Sequence, residues 1–318
     1  MSPRRFWTVL LLAVTACWGA SFAIIHEAVE DVDPYVFVTL RFAVAAALIL
    51  ALGRRRMLAA ITRSTLRDGA WLGLLLAAGY LLQTAGLART SPSNAAFLTG
   101  ISVVLVPVLL AFGGWRLPRT GWLAIVLASV GLGILTLDPQ TLSLNLGDAL
   151  SIGCACAYAG QIVLTGRCSS RHDLWALTFV ELVVTTLISA AVWAISGAPT
   201  AGLALPGVWG ALGFASILCT VIAYLVMNAA QRVVSSWEAG LVFTTEPIFA
   251  AVVALALGVE PWRLRTTIGG LLILAAMVTA EAAQRSAGAE EGDGEGGAPS
   301  PEGDTEYKRK DAPHLSAR

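Results

Sequence analysis

Apolar runs recur along the whole chain, at 6–25, 34–53, 69–88, 94–114, 121–137, 147–166, 174–197, 206–227, 238–259 and 266–283. Each is near the roughly 20 residues that a helix needs to cross a bilayer. The runs are continuous, without the alternation of barrel strands, so they predict about ten membrane-spanning helices. Polar residues inside these runs stand out. The stretch W-E-A-G-L-V-F-T-T-E-P-I-F-A-A-V-V-A-L-A-L-G-V-E-P, beginning at Trp237, carries Glu246 well inside its apolar part, followed at once by Pro247. A charge at that depth costs about 2.5–3.5 kcal/mol or more, so the side chain should face the protein interior or water. Proline removes a backbone donor and loosens the preceding turn, which predicts a helix break at Pro247.

Composition fixes the class. Of 318 residues, 56% are hydrophobic and 13% charged, with mean hydropathy +0.73. Soluble domains carry about 25% charged residues. The expectation is an all-α integral membrane protein. The formal net charge is zero and no basic surface suggests nucleic acid. Five cysteines lie in or beside apolar runs. Cys154 and Cys156 point about 200° apart on a helix, a poor chelate, so neither disulfide nor metal nor cofactor is expected. Val14-Thr15-Ala16-Cys17 has the form of a lipoprotein cleavage box, yet the apolar run continues to Ile25, so the first helix is expected to stay.

Charge also gives the orientation. With the N-terminus inside, twelve arginines fall in cytoplasmic segments (among them Arg4, Arg54, Arg67, Arg119 and Arg232), and only Arg89, Arg263 and Arg265 lie outside. Both termini are therefore expected in the cytoplasm of a bacterial cell, the chain spanning its inner membrane. Residues 284–318 are rich in Gly, Glu, Asp and Pro and read as a disordered cytoplasmic tail.

The two halves resemble each other at an offset of about 140 residues. Asp33 answers Asp173, Arg41 answers Glu181, Tyr80 answers Tyr224, and Trp115-Arg116-Leu117 answers Trp262-Arg263-Leu264. Five spans per half is an odd number, so the second half enters from the opposite face. The organisation is two inverted five-helix repeats, 1–140 and 141–283, related by an axis in the membrane plane. In such folds the substrate site lies near the midplane and rocking exposes it to each side in turn.

Several motifs carry a resemblance. Trp18-Gly19-Ala20-Ser21-Phe22, Thr39-Leu40-Arg41-Phe42, Glu246-Pro247 with Leu257-Gly258-Val259-Glu260, and Ile268-Gly269-Gly270-Leu271-Leu272-Ile273 follow in the order seen in the EamA family of the drug/metabolite transporter superfamily. The chain resembles that family over residues 6–283. The resemblance implies a ten-helix permease with a central cavity that moves amino acids, other metabolites or drugs. Two departures are visible: no acidic residue follows Trp115-Arg116-Leu117, and Glu181 stands where a neutral polar residue is common.

Counting 1.5 Å per residue, Glu181 and Glu246 come out at similar depths above the inner face, with Arg41 nearer the outer face. Two carboxylates at one level in a dry cavity disfavour each other's ionised form. The expectation is a proton-exchange site centred on Glu246 and assisted by Glu181, or else a Glu181 that snorkels to the cytoplasm. Arg41 is an outer gate, a contact for an anionic group, or a structural anchor. Trp18 and Tyr158 fall near mid-depth as an aromatic floor, or as ordinary packing. Tyr80 with Thr84, and Tyr224 with Asn228, are spaced to share one helix face and so to line the cavity.

These residues point to a secondary transporter, expected to export a small metabolite, amino acid or drug across the plasma membrane by alternating access, by proton antiport or by facilitated diffusion. Its partners are a small-molecule substrate, the lipid bilayer and protons. Import or exchange of a phosphorylated or nucleotide-linked substrate would need several cavity cations, and only Arg41 is available. An enzyme is not expected, since no nucleophile set appears in the spans. A non-transporting sensor that signals through its tail is the remaining class.

Overall fold

The computed structural model describes residues 2–87, 89, 98–114, 119–136, 146–256 and 264–294. The motif residues Trp115-Arg116-Leu117, Leu257-Gly258-Val259-Glu260 and Trp262-Arg263, and the tail from 295, lie outside them. Among the described residues every regular element is helical: α1 (Pro3–Asp31), α2 (Pro34–Ala59), α3 (Arg63–Leu87), α4 (Ser102–Phe112), α5 (Arg119–Thr136), α6 (Leu146–Cys168), α7 (Leu174–Ser196), α8 (Pro206–Ala230), α9 (Ser236–Phe243), α10 (Glu246–Ala256) and α11 (Leu264–Gly294). Five stretches, in α2, α3, α6, α7 and α8, are long and apolar enough to cross a membrane; Leu98–Phe112, Arg119–Ile134 and Leu264–Ala280 are shorter apolar helices.

Helix ends follow local chemistry. Asp33 accepts from the Tyr35 amide at 2.8 Å at the start of α2, and Asp173 from the Ala176 amide at 3.0 Å at the start of α7. The two aspartates matched by the repeat thus hold the starts of equivalent helices. Ser235 and Glu238 form a reciprocal capping box on α9, and Arg4 of α1 pairs with the same Glu238. Gly197, with φ +65°, closes α7 in the left-handed conformation that a side chain resists.

Two boundaries differ from the sequence expectation. The break expected at Pro247 falls just before it: α9 stops at Phe243 and α10 starts at Glu246, with Pro247 in its first turn. The last helix overruns the tail boundary expected at 284 and continues to Gly294. Its extension, A-E-A-A-Q-R-S-A-G-A-E-E, is built of Ala, Glu, Gln and Arg, strong helix formers, so helix does not stop where hydrophobicity does.

The interhelical contacts obey an exchange rule. Map α1 on α6, α2 on α7, α3 on α8, α4 on α9 and α10, and α5 on α11. The α3–α6 interface then corresponds to α8–α1, α3–α7 to α8–α2, and α4–α6 to α9 and α10 against α1; α2–α7, α4–α9 and α5–α11 map onto themselves. Gly86 faces Gly147 and Ser151 while Gly79 faces Tyr158, so α3 and α6 run antiparallel. Gly69 meets Val180 and Gly73 meets Glu181 and Val184, so α3 and α7 run parallel.

Small residues set these distances, as membrane interfaces require. A Cβ added at Gly73 would lie 2.5 Å from the Glu181 carbonyl oxygen. Large apolar side chains point the other way: Phe112 and Ile195 are each 86% exposed, and Leu187, Trp71 and Val278 are exposed beside them. On a soluble protein such a surface would mark an interface. Around this polar-cored bundle it is what a lipid-facing belt would require.

Candidate functional site

The site is built on an irregularity in α8. Residues Ile217–Ile222 form a wide π-turn, and the Thr220 hydroxyl donates to the Ala215 carbonyl five residues back at 2.9 Å. Such turns displace backbone carbonyls from the regular ladder. Here the Cys219 carbonyl accepts the Trp18 indole N–H at 2.9 Å and the Arg41 guanidinium (Nη2) at 3.0 Å. Arg41 Nε donates to the Thr220 hydroxyl oxygen at 2.7 Å. Three spans, α1, α2 and α8, therefore meet at one turn, and the arginine is only 6% exposed.

Aromatic rings enclose the guanidinium. Its carbon lies 5.1 Å from the Tyr80 ring centre and 5.6 Å from that of Phe42, within cation–π range. Tyr80 stands edge-on to Phe42 at 5.0 Å and to Tyr158 at 5.9 Å. Trp18 packs against Tyr224 at 6.3 Å and Phe243 at 5.4 Å. Tyr158 hydroxyl donates to Gln83 Oε1 at 3.4 Å. Both halves thus contribute to one aromatic cluster.

Glu246 lies across from Arg41, close enough for the two charges to interact. Its carboxylate is half-buried and has no hydrogen-bond partner among the described residues. The Thr244 and Thr245 hydroxyls turn back on the Leu241 and Val242 carbonyls, at 2.6 and 2.7 Å, and end α9. Glu246 then opens α10 with Pro247 next to it, where a missing N–H costs nothing. A carboxylate in a first turn is favoured by the helix dipole. Gly19 admits this segment: a Cβ there would lie 2.8 Å from the Glu246 carbonyl oxygen and 2.6 Å from Phe249 Cβ.

Glu181 occupies a different neighbourhood. It is fully buried and accepts from Gln161 Nε2 at 2.9 Å and Asn228 Nδ2 at 3.3 Å. Asn228 also donates to the Thr178 hydroxyl oxygen at 2.9 Å. The depth count puts Glu181 level with Glu246, but it does not fix rotation about the helix axes. Arg41, not Glu181, is the charge close enough to act on Glu246. Thr84 donates to the Tyr80 carbonyl at 2.8 Å. The side chains of Trp18, Tyr80 and Tyr158, like that of Glu246, remain partly accessible at the centre of the bundle.

Sequence reasoning passed over Phe42, Phe243, Thr220, Gln161 and the Cys219 carbonyl. Gln161 carried the same signal as Glu246, a polar side chain inside an apolar run. Among the described residues no three His, Cys, Asp or Glu side chains group as a metal site.

An all-helical apolar bundle with a buried arginine and a carboxylate at its core is a multi-pass membrane protein. The profile of the EamA-like transporter family matches residues 5–137 and again 145–280, and the chain belongs to that family, within the drug/metabolite transporter superfamily. An uncharacterized transporter of Archaeoglobus fulgidus is 29% identical over 289 residues, covering 87% of this chain and 98% of that one. A second from the same archaeon is 25% identical over 281 residues, covering 86% of each chain. The uncharacterized transporter YyaM of Bacillus subtilis is 25% identical over 290 residues, covering 86% of this chain and 92% of its own. A crystal structure of another protein superposes with TM-score 0.74 at 18% identity, covering 87% of this chain and 98% of the other, a likeness of fold.

Proposed function

We propose that the protein is a ten-span secondary transporter of two inverted repeats that exports a small zwitterionic metabolite, an amino acid with an apolar or aromatic side chain fitting best. The antiparallel α3–α6 and parallel α3–α7 pairs support the inversion, and the arginine distribution supports cytoplasmic termini in a bacterial plasma membrane. One observation carries the substrate class. Arg41 and Glu246, one from each repeat, lie close enough for their charges to interact, and Trp18, Tyr80 and Tyr158 are partly accessible in the same bundle. A carboxylate group of the substrate meets Arg41 at Nη1, the nitrogen not used on Thr220 or the Cys219 carbonyl, its ammonium meets Glu246, and its side chain meets the rings. A substrate with a phosphate would leave Glu246 repelling it.

The test is counterflow in proteoliposomes, with labelled phenylalanine, leucine, lysine and a cationic dye, with and without a pH gradient. Phenylalanine and leucine are expected to exchange. Arg41→Gln and Glu246→Gln each remove a charge-assisted contact worth about 1.5–3 kcal/mol, so each should lower exchange about tenfold or more. Exchange of the dye alone, or unchanged amino-acid exchange in both variants, overturns the reading.

A further inference from the structure

Glu181 has no place in the substrate site just described, yet its surroundings are unlike those of a packing residue. It is 0% exposed, and its two oxygens accept from two neutral amides, Gln161 and Asn228. No cation is among its described partners; Arg41 directs Nε and Nη2 to Thr220 and the Cys219 carbonyl, not to Glu181. The Tyr224 phenol on α8 is close enough to interact with it, and that group is neutral or negative and never supplies a positive charge. α6 contributes Gln161, and α3 contributes a backbone contact through Gly73.

A buried carboxylate with only neutral donors carries an uncompensated charge, which proteins avoid by neutralising the group. A second observation points the same way. Asn228 Oδ1 is buried and has no hydrogen-bond partner among the described residues, although Asn228 Nδ2 touches Glu181. The amide can answer both states of the carboxyl: Nδ2 donates to the ionised form, and with the amide turned over Oδ1 accepts the O–H of the protonated form. Gln231 Nε2, just past the end of α8, is also buried and without a partner among the described residues.

We infer that Glu181, held by Gln161 and Asn228, is a proton-binding site separate from the Arg41–Glu246 substrate site. The site loads and releases one proton through O–H bond formation and cleavage on the carboxyl, with Asn228 as the acceptor of the loaded state. Its role in coupling rests on the transporter reading, whereas proton binding does not.

The experiment needs no substrate. Full-length protein in liposomes is titrated from acid to alkaline pH while the infrared band of a protonated carboxyl is followed, with sodium or choline as the bulk cation. The expected result is a band in the wild type that is lost in Glu181→Gln and kept in Glu246→Gln. Gln161→Leu keeps the carboxyl but removes one donor, and should move the band's frequency; this variant stands if Glu181→Gln fails to fold. A band that survives Glu181→Gln, that is lost only in Glu246→Gln, or that is indifferent to Gln161→Leu overturns the assignment. So does a wild-type band abolished by sodium, which would make the site one for a metal cation.

Discussion

Trp18 and Arg41, from consecutive spans of the first repeat, hydrogen-bond to the same carbonyl of the second, that of Cys219. The first contact is neutral and the second charge-assisted, so they should differ in strength and respond to each other. Trp18→Phe keeps a ring and removes about 0.5–1.5 kcal/mol, and Arg41→Gln removes about 1.5–3 kcal/mol. Because both share one acceptor, the double variant should deviate from additivity by about 0.5 kcal/mol or more. Thermal unfolding in detergent of the two single variants and the double one measures this.

Gly19 and Gly207 make a matched pair of opposite outcome. A Cβ at Gly19 would strike α10 at 2.6 Å, whereas nothing lies within 4 Å of one at Gly207. Gly19→Ala should destabilise by about 1–3 kcal/mol through forced helix separation. Gly207→Ala should be neutral or gain up to about 1 kcal/mol from helix propensity. Melting temperatures of the two variants should shift in opposite directions or differ clearly in size.

Asn228→Asp places a second carboxylate against Glu181. Like charges repel only when both are ionised, so the loss of stability should be largest at alkaline pH and shrink as pH falls. Unfolding followed across a pH series, variant against wild type, checks the sign. A loss that grows toward acid would contradict the contact.

Ser235→Ala removes the capping box of α9 and should cost about 0.5–2 kcal/mol. Arg4→Gln takes away a partly exposed partner of the same Glu238 and should cost about 1 kcal/mol or less, less still at high salt. Melting temperatures at low and high ionic strength separate the two.

Much of this was legible in the residues. Apolar runs located the helices, and the matches Asp33–Asp173 and Tyr80–Tyr224 marked equivalent positions, since the aspartates cap equivalent helices and each tyrosine packs against an aromatic ring of the other half. Pro247 signalled a break, which falls at Thr244–Thr245 because proline prefers the first turn of the helix it begins. What escaped were rotations and backbone events. Counting residues fixes how deep Glu181 and Glu246 lie but not which way they face. The π-turn is spelled I-L-C-T-V-I, an ordinary apolar string with no glycine or proline to announce it.

That turn has a practical consequence for anyone mutating this protein. The atom on which two spans converge belongs to the main chain, so it survives whatever amino acid is written at position 219. A survey that trims side chains one at a time would rate Cys219 dispensable and miss the junction altogether. Removing a single residue between 217 and 222, by contrast, would swing Tyr224 and Asn228 by about 100° and take the junction apart.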